Sequence, residues 1–290
     1  MTKEEELFSG GVAVITGAGA GIGMGLARRC GAIGMTVVVT DIDAARAEAV
    51  AADIRAAGGK AEAIRVDVSR PEALDVLARQ VFDRHGAVRL LVNNAGIETL
   101  GYTWEIPAAR WEATLNVNIH GIVHGVRAFV PHMLRAGQEA WIANLSSIGA
   151  FGQMPTQTAY IMSKHAIQSF SECLYLEMQV AGAPIHVSAV VPGMVKTSIF
   201  DPEAGQGEKG MGEPESAARH RATMAHMMAA HGMDLDEACR RFLARIAAGE
   251  FWVDSQPEMT RQSLDARAAF LTEQTAPALN ETTRQLLGLG

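Results

Sequence analysis

Three features of the sequence predict a doubly wound, Rossmann-type α/β fold on a parallel sheet. Short β-branched runs alternate with Ala-rich helical stretches through the first two thirds of the chain. Those runs are apolar almost throughout, as strands must be when helices cover both faces of their sheet. A glycine-rich turn, "TGAGAGIG" at 16–23, separates the first run from the first helical stretch.

The runs at 11–16, 36–41, 63–67, 89–94, 141–146 and 185–191 read as strands, with helices at 21–33, 43–57, 70–86, 107–136 and 157–181 between them. Such alternation makes right-handed βαβ units. Beyond Thr197 the pattern changes: residues 198–217 are rich in Gly, Glu and Pro, the signature of a loop. Helices follow near 216–231 and 234–248, then "EFWV" at 250–253 as a seventh strand and a C-terminal helix around 257–273. A long loop inside a compact domain is usually functional, so 198–231 is expected to be a loosely ordered substrate lid. No repeat or linker divides the chain, so residues 1–290 are expected to form one domain, closed by the last strand and C-terminal helix in 250–290.

At 290 residues, 48% of them hydrophobic, the chain can bury a large core. Its net charge of −7 argues against nucleic acid or an anionic membrane surface as partner. No apolar run approaches the ~20 residues that span a bilayer, and "MTKEEELFSG" is unlike a secretory signal. Cys30, Cys173 and Cys239 lack paired spacing and read as buried or semi-buried thiols of a reducing cytoplasm. His120 and His124 share a helix face without an acidic or thiol partner at ligand spacing, so no metal is expected.

In the glycine turn, Gly17 permits the tight bend, Gly21 and Ile22 open the helix beside a pyrophosphate, and Gly23 lets that helix pack close to the sheet. Asp41 closes the second strand, 18 residues after Gly23, where a carboxylate accepts from ribose hydroxyls and repels a 2′-phosphate. Asp43 is the better helix cap, which leaves Asp41 for the ribose. Tyr160 and Lys164 stand four apart on one helix face. A phenol with pKa near 10 is a poor base at neutral pH. An ammonium at ~4 Å supplies roughly 4 kcal/mol at an effective dielectric of ~20, so the spacing predicts a lowered tyrosine pKa.

"TGAGAGIG", "NNAG" at 93–96, Asn118 in "NVNIHG", Ser147 in "NLSSIG", "YIMSK" at 160–164 and "PGMVKT" at 192–197 together resemble the short-chain dehydrogenase/reductase family. The motifs run in the family's order over about the first 200 residues, with Ser147 thirteen positions before Tyr160. The resemblance implies an alcohol dehydrogenase or ketone reductase with Tyr160 as acid/base, Ser147 holding the reacting oxygen, Lys164 serving Tyr160 and the nicotinamide ribose, and Asn118 holding a water on the path to Lys164. It places Asp67 and Val68 at the adenine, Asn93, Ala95 and Gly96 behind the adenosine ribose, and Pro192, Gly193, Val195 and Thr197 at the nicotinamide and phosphates. NADP-preferring members carry a basic residue in the glycine loop or beside the Asp; here Ala18, Ala20 and Ile42 stand there, so NAD is expected.

By the same resemblance, substrate contacts fall to Ile97 and Glu98, to Ala150, Phe151, Gln153 and Met154, and to Met194 with the lid methionines Met224, Met227 and Met228. Methionine adapts to irregular apolar shapes, which points to a bulky hydrophobic alcohol or ketone. The C-terminal "AAGEFWVDSQPEMTRQ" resembles members acting on benzylic alcohols, and equally relatives acting on steroids or terpenoids. An NADPH-linked 3-oxoacyl reductase and a non-catalytic NAD-binding regulator are the rival readings. The resemblance also implies a homotetramer or homodimer through the helices at 107–136 and 157–181.

Overall fold

The computed structural model describes residues 1–201, 214–279 and 281–287. Seven strands, β1 (Val12–Thr16), β2 (Thr36–Asp41), β3 (Lys60–Arg65), β4 (Leu90–Asn93), β5 (Ala140–Leu145), β6 (Ile185–Val191) and β7 (Trp252–Asp254), form one sheet in the order β3-β2-β1-β4-β5-β6-β7. Every pairing is parallel. The order reverses between β1 and β4, so a crevice opens at the carboxyl ends of those strands.

Helices sort to the two faces by the alternation of each strand. Ala13, Ile15, Val37, Val39, Leu90 and Val92 point to one face, covered by α1 (Lys3–Phe8), α2 (Gly21–Ala32), α3 (Ala44–Ala56) and α9 (Leu235–Ala247). Val14, Val38 and Leu91 point to the other, covered by α4 (Pro71–His85), α6 (Gly121–Ala136) and α7 (Thr158–Val180). Both faces being buried is why the strand runs carry no polar alternation.

Most elements lie within a few residues of their expected places, and the departures have local causes. The third strand runs over 60–65 rather than 63–67, in register with β2 from Thr36 opposite Lys60 to Asp41 opposite Arg65. As the edge strand it tolerates Lys60, Glu62 and Arg65; ladder pairing, not apolarity, sets its bounds. The expected helix at 107–136 is split: α5 (Ala108–Leu115) passes through one π turn, Asn116–His120, before α6. Cys173 is exposed, unlike buried Cys30 and Cys239.

The lid expectation divides. Residues 202–213 lie outside the described residues, and most of the described remainder is helical. Glu215–His231 is a 17-residue helix, α8, whose Ala217 and Met228 pack with Leu100 and Phe200. His220 Nδ1 lies 2.7 Å from the Thr156 hydroxyl, tying α8 to the segment that precedes α7. After β7 come α10 (Pro257–Glu273) and a short α11 (Glu281–Leu286).

Helix α1 was not anticipated, although its signal is present. Thr2 and Glu5 form a reciprocal capping box, the Glu5 carboxylate accepting from Thr2 N at 2.8 Å. The helix delivers Phe8, fully buried, edge-on to Trp141 with ring centroids 5.0 Å apart. Truncating a buried phenylalanine costs about 3–5 kcal/mol. Phe8→Ala should therefore lower the unfolding free energy by about that amount in chemical denaturation, whereas the exposed Lys3→Ala should leave the midpoint unchanged.

Candidate active site

The switch point opens into a crevice of about 590 Å³, within the usual size range of small-molecule sites. At one end the glycine turn bends from β1 into α2. Gly17 has φ +62, and a Cβ there would stand 2.7 Å from the Ala95 Cα. Asn94 pins the turn, its Nδ2 donating to the Thr16 and Gly17 carbonyls at 2.8 and 3.0 Å. The residue before α2, Ala20, offers no side-chain cap, and no acid stands in the first turn. The free N–H groups and positive dipole end of the helix therefore favour an anion such as a pyrophosphate. Asp41 accepts from Gly19 N at 2.9 Å and from Asp43 N at 3.0 Å, which fixes its carboxylate at the crevice edge with lone pairs to spare. Asp43 is the cap of α3. This cradle fits a dinucleotide.

Of the residues assigned to a cofactor, Gly17, Gly21, Ile22, Asp41, Asp67, Val68, Ala95, Gly96, Tyr160, Lys164, Pro192, Gly193, Val195 and Thr197 all line the crevice. Asn93 and Gly23 do not. Asn93 is turned into the layer beneath, its Nδ2 donating to Asn144 at 2.9 Å. Neighbours on a strand face opposite ways, so Asn94 takes the place expected of Asn93. Gly23 is a packing position; a Cβ there would lie 2.4 Å from Asn94 Nδ2.

At the other end, Tyr160, Lys164 and Ser147 converge. Ser147 opens a short turn over Ile148–Phe151, and its Oγ accepts from Gly149 N at 3.0 Å. That leaves the hydroxyl proton free to donate, and Ser147 Oγ and Tyr160 Cε1 flank Gly149 together, 3.4 and 3.7 Å from where a Cβ there would stand. Lys164, buried in α7, donates from Nζ to the Leu145 carbonyl at 2.8 Å, and its Nζ lies 5.4 Å from the Tyr160 ring centroid. Asn118 sits in the π turn, fully buried. It accepts from Ile97 N at 2.8 Å and donates to Ile97 O and to the Ser163 hydroxyl at 2.9 and 3.1 Å. Its side chain is a clamp on the segment after β4 rather than a wall of the crevice, as π turns at functional sites allow.

The electrostatics reverse one expectation. Burial, reinforced by the Glu98 charge, pushes the Tyr160 hydroxyl above its usual value, against the opposing hydrogen bond from Ser147. Burial also brings Lys164 down to about 8, against the pull of Glu98. The ammonium is directed at Leu145, and burial disfavours a phenolate at Tyr160. Glu98 itself is raised by burial to about 8, despite the Gln157 hydrogen bond and the positive charges of Arg221 and Lys164.

Of the expected substrate contacts, Ile97, Glu98, Met194, Met224 and Met228 line this end. Ala150, Phe151, Gln153, Met154 and Met227 do not. Ala150 and Phe151 pack with Val191 against Leu264, and Phe151 meets the Trp252 ring at 5.5 Å. Sequence reasoning did not point to Gln157 here, nor to Arg46 beside Asp41, and it covered Ile199, Phe200 and Arg221 only as part of the 198–231 segment. Arg46 lies in the first turn of α3, a spacing that could have been read; Ile199, Phe200 and Arg221 depend on how the chain after Thr197 folds back, and Gln157 on how the start of α7 meets Glu98.

Glu98 gives a pH test. Folded Glu98 keeps its proton between its ordinary 4.5 and about 8, where the unfolded chain has lost it, so this group's contribution to stability falls as pH rises through that window. Glu98→Gln should therefore raise the melting temperature more at pH 8 than at pH 4.5. An equal shift at both would show that the carboxyl does not titrate high.

Comparison with known proteins agrees with this architecture. Residues 11–206 match the family model described as short chain dehydrogenase. "Probable oxidoreductase EphD" of Mycobacterium tuberculosis is 38% identical over 185 residues, 64% of this chain and 31% of that protein, so this chain spans about a third of that relative's length. The 1-deoxy-11-beta-hydroxypentalenate dehydrogenase of Streptomyces avermitilis is 29% identical over 281 residues, 93% of this chain and 97% of the relative. A crystal structure of a short chain dehydrogenase/reductase from Burkholderia phymatum in complex with NAD superimposes with TM-score 0.90 at 30% identity, covering 94% of this chain and 98% of that one. The chain belongs to the short-chain dehydrogenase family of oxidoreductases.

Proposed function

We propose that the chain is an NAD-dependent dehydrogenase or reductase of a bulky, largely apolar secondary alcohol or ketone. The observation that carries this reading is one crevice with the Asp41 carboxylate at one end and the Ser147–Tyr160 hydroxyl pair at the other. Bound NAD supplies the hydride acceptor, and NADH the donor. In reduction, Tyr160 gives its proton to the carbonyl oxygen while the Ser147 hydroxyl donates a hydrogen bond to the same oxygen as charge gathers there. The raised Tyr160 pKa keeps that proton in place until it is needed. In oxidation the proton travels back to Tyr160, and the positive charges of Lys164 and of the oxidised cofactor offset the cost of the phenolate.

The roles expected of Asn118 and Lys164 take a modified form. Asn118 holds Ile97, and so fixes the floor on which Gly96 and Glu98 lie. A Cβ at Gly96 would lie 3.5 Å from Asn118 Oδ1 and 3.7 Å from Lys164 Nζ, so this glycine keeps the space between them open. Met194, Ile199, Phe200, Met224 and Met228 pack together and line the same crevice as the hydroxyl pair. That apolar lining supports an aryl or alicyclic substrate, and α8 as the element that closes over it. Exposed apolar residues on α7, among them Leu176 and Val180, support a homotetramer or homodimer.

A specific observation favours one rival. Arg46 lines the crevice near Asp41, and a cation there could serve a 2′-phosphate, as an NADPH-linked 3-oxoacyl reductase would require. Arg46 is, however, paired with Asp43 at 3.5 Å, and the Asp41 carboxylate stands closest to the glycine turn. A non-catalytic regulator has no need of all four catalytic positions, which are intact here.

The cofactor test separates these readings. Wild-type enzyme should use NAD over NADP by roughly tenfold or more in kcat/KM, about 1.4 kcal/mol of discrimination. Asp41→Ala should narrow the ratio by removing the carboxylate that repels a 2′-phosphate. Equal or better turnover with NADP would favour the rival.

A further inference from the structure

We propose that Glu98 is a specificity residue, its second carboxyl oxygen taking a hydroxyl that the substrate carries in addition to its reacting oxygen. The inference rests on the alcohol and ketone reading above and names the substrate class more closely: a hydroxylated bulky ketone, or the corresponding diol.

The carboxyl is held firmly. Glu98 is 5% exposed, and both neighbours are pinned, Ile97 by two hydrogen bonds to Asn118 and Thr99 by its hydroxyl at 2.7 Å from Thr114. Its Oε2 accepts from Gln157 Nε2 at 3.2 Å, whereas its Oε1 is buried with no partner. Native proteins seldom leave a buried polar atom unpaired without a use for it.

Position supplies the use. Gln157 immediately precedes α7, three residues before Tyr160, so the Glu98–Gln157 pair borders the first turn of the helix that carries the tyrosine. Both residues line the crevice with Tyr160 and Ser147, and Met194, Phe200, Met224 and Met228 line it too. The substrate end thus has two polar points in an apolar enclosure. One handles the reacting oxygen, and the other is left for a second group.

Charge narrows what that group is. Arg221 lines the same end and Lys164 is buried nearby, so an ammonium would meet two cations. Glu98 is mostly neutral at physiological pH, and a neutral carboxyl both donates and accepts, as a hydroxyl does. Sites built to bond a hydroxyl discriminate strongly against analogues without it.

The test uses decalone and its ring-hydroxylated isomers as matched ketones, assayed with NADH. Wild-type enzyme should turn over at least one hydroxylated isomer with kcat/KM roughly tenfold or more above decalone, a difference of about 1.4 kcal/mol. Glu98→Leu should bring that ratio close to one, and Glu98→Gln should restore part of it. Three results would overturn the inference. Wild-type ratios near one for every isomer need no variant to do so. A ratio that survives in both variants would show that the hydroxyl is read elsewhere. No turnover of any alcohol or ketone with either cofactor would remove the parent reading, and this one with it; turnover blind to the hydroxyl removes this one alone.

Discussion

The reversal of strand order between β1 and β4 is the constraint from which the rest of the site follows. At that point the crossovers leave to opposite faces, and nothing in a parallel sheet can cover the carboxyl ends of both strands. The turn after β1 presents helix-terminal N–H groups, the segment after β4 forms the floor, and the ends of β5 and β6 supply Ser147 and the Pro192–Thr197 loop. Lys164 fastens the catalytic helix to this edge through Leu145, the last residue of β5.

Burial governs the chemistry as much as proximity does. The spacing of Tyr160 and Lys164 correctly places both on one side of α7, but spacing cannot say how dry their surroundings are. In the folded chain desolvation acts on three titratable groups together, raising Tyr160 and Glu98 and lowering Lys164. The result is a site in which every group is pushed toward its neutral form: Tyr160 and Glu98 hold their protons more tightly and Lys164 less so. Asn118 makes a related point: on a regular helix its side chain would be one of many, but a π turn directs it onto Ile97 and so steadies the floor beneath Glu98.

The sheet was legible in the sequence because two-sided burial writes continuous apolar runs, and the glycine turn because its shape needs Gly17 at positive φ. Ser147, Tyr160 and Lys164 were legible as a group through their spacing, and Asn118 through the motif around it. What escaped depended on longer-range facts. Which of Asn93 and Asn94 faces the crevice follows from strand register, which a short "NNAG" does not fix. Phe151 falls outside because Trp252, a hundred residues later, claims its ring. The lid helix could be placed by composition, but its attachment through His220 and Thr156 could not.

All of this converges on one group, since the account holds that Tyr160 moves the proton to and from the substrate oxygen. Tyr160→Phe keeps the ring and its packing and removes only the transferable proton. The deciding measurement is kcat of this variant with NADH and a ketone, beside its NADH affinity by fluorescence titration. The account predicts kcat lower by ~10²–10⁴-fold with affinity unchanged. A variant that binds NADH normally and keeps most of its kcat would show that the proton comes from elsewhere.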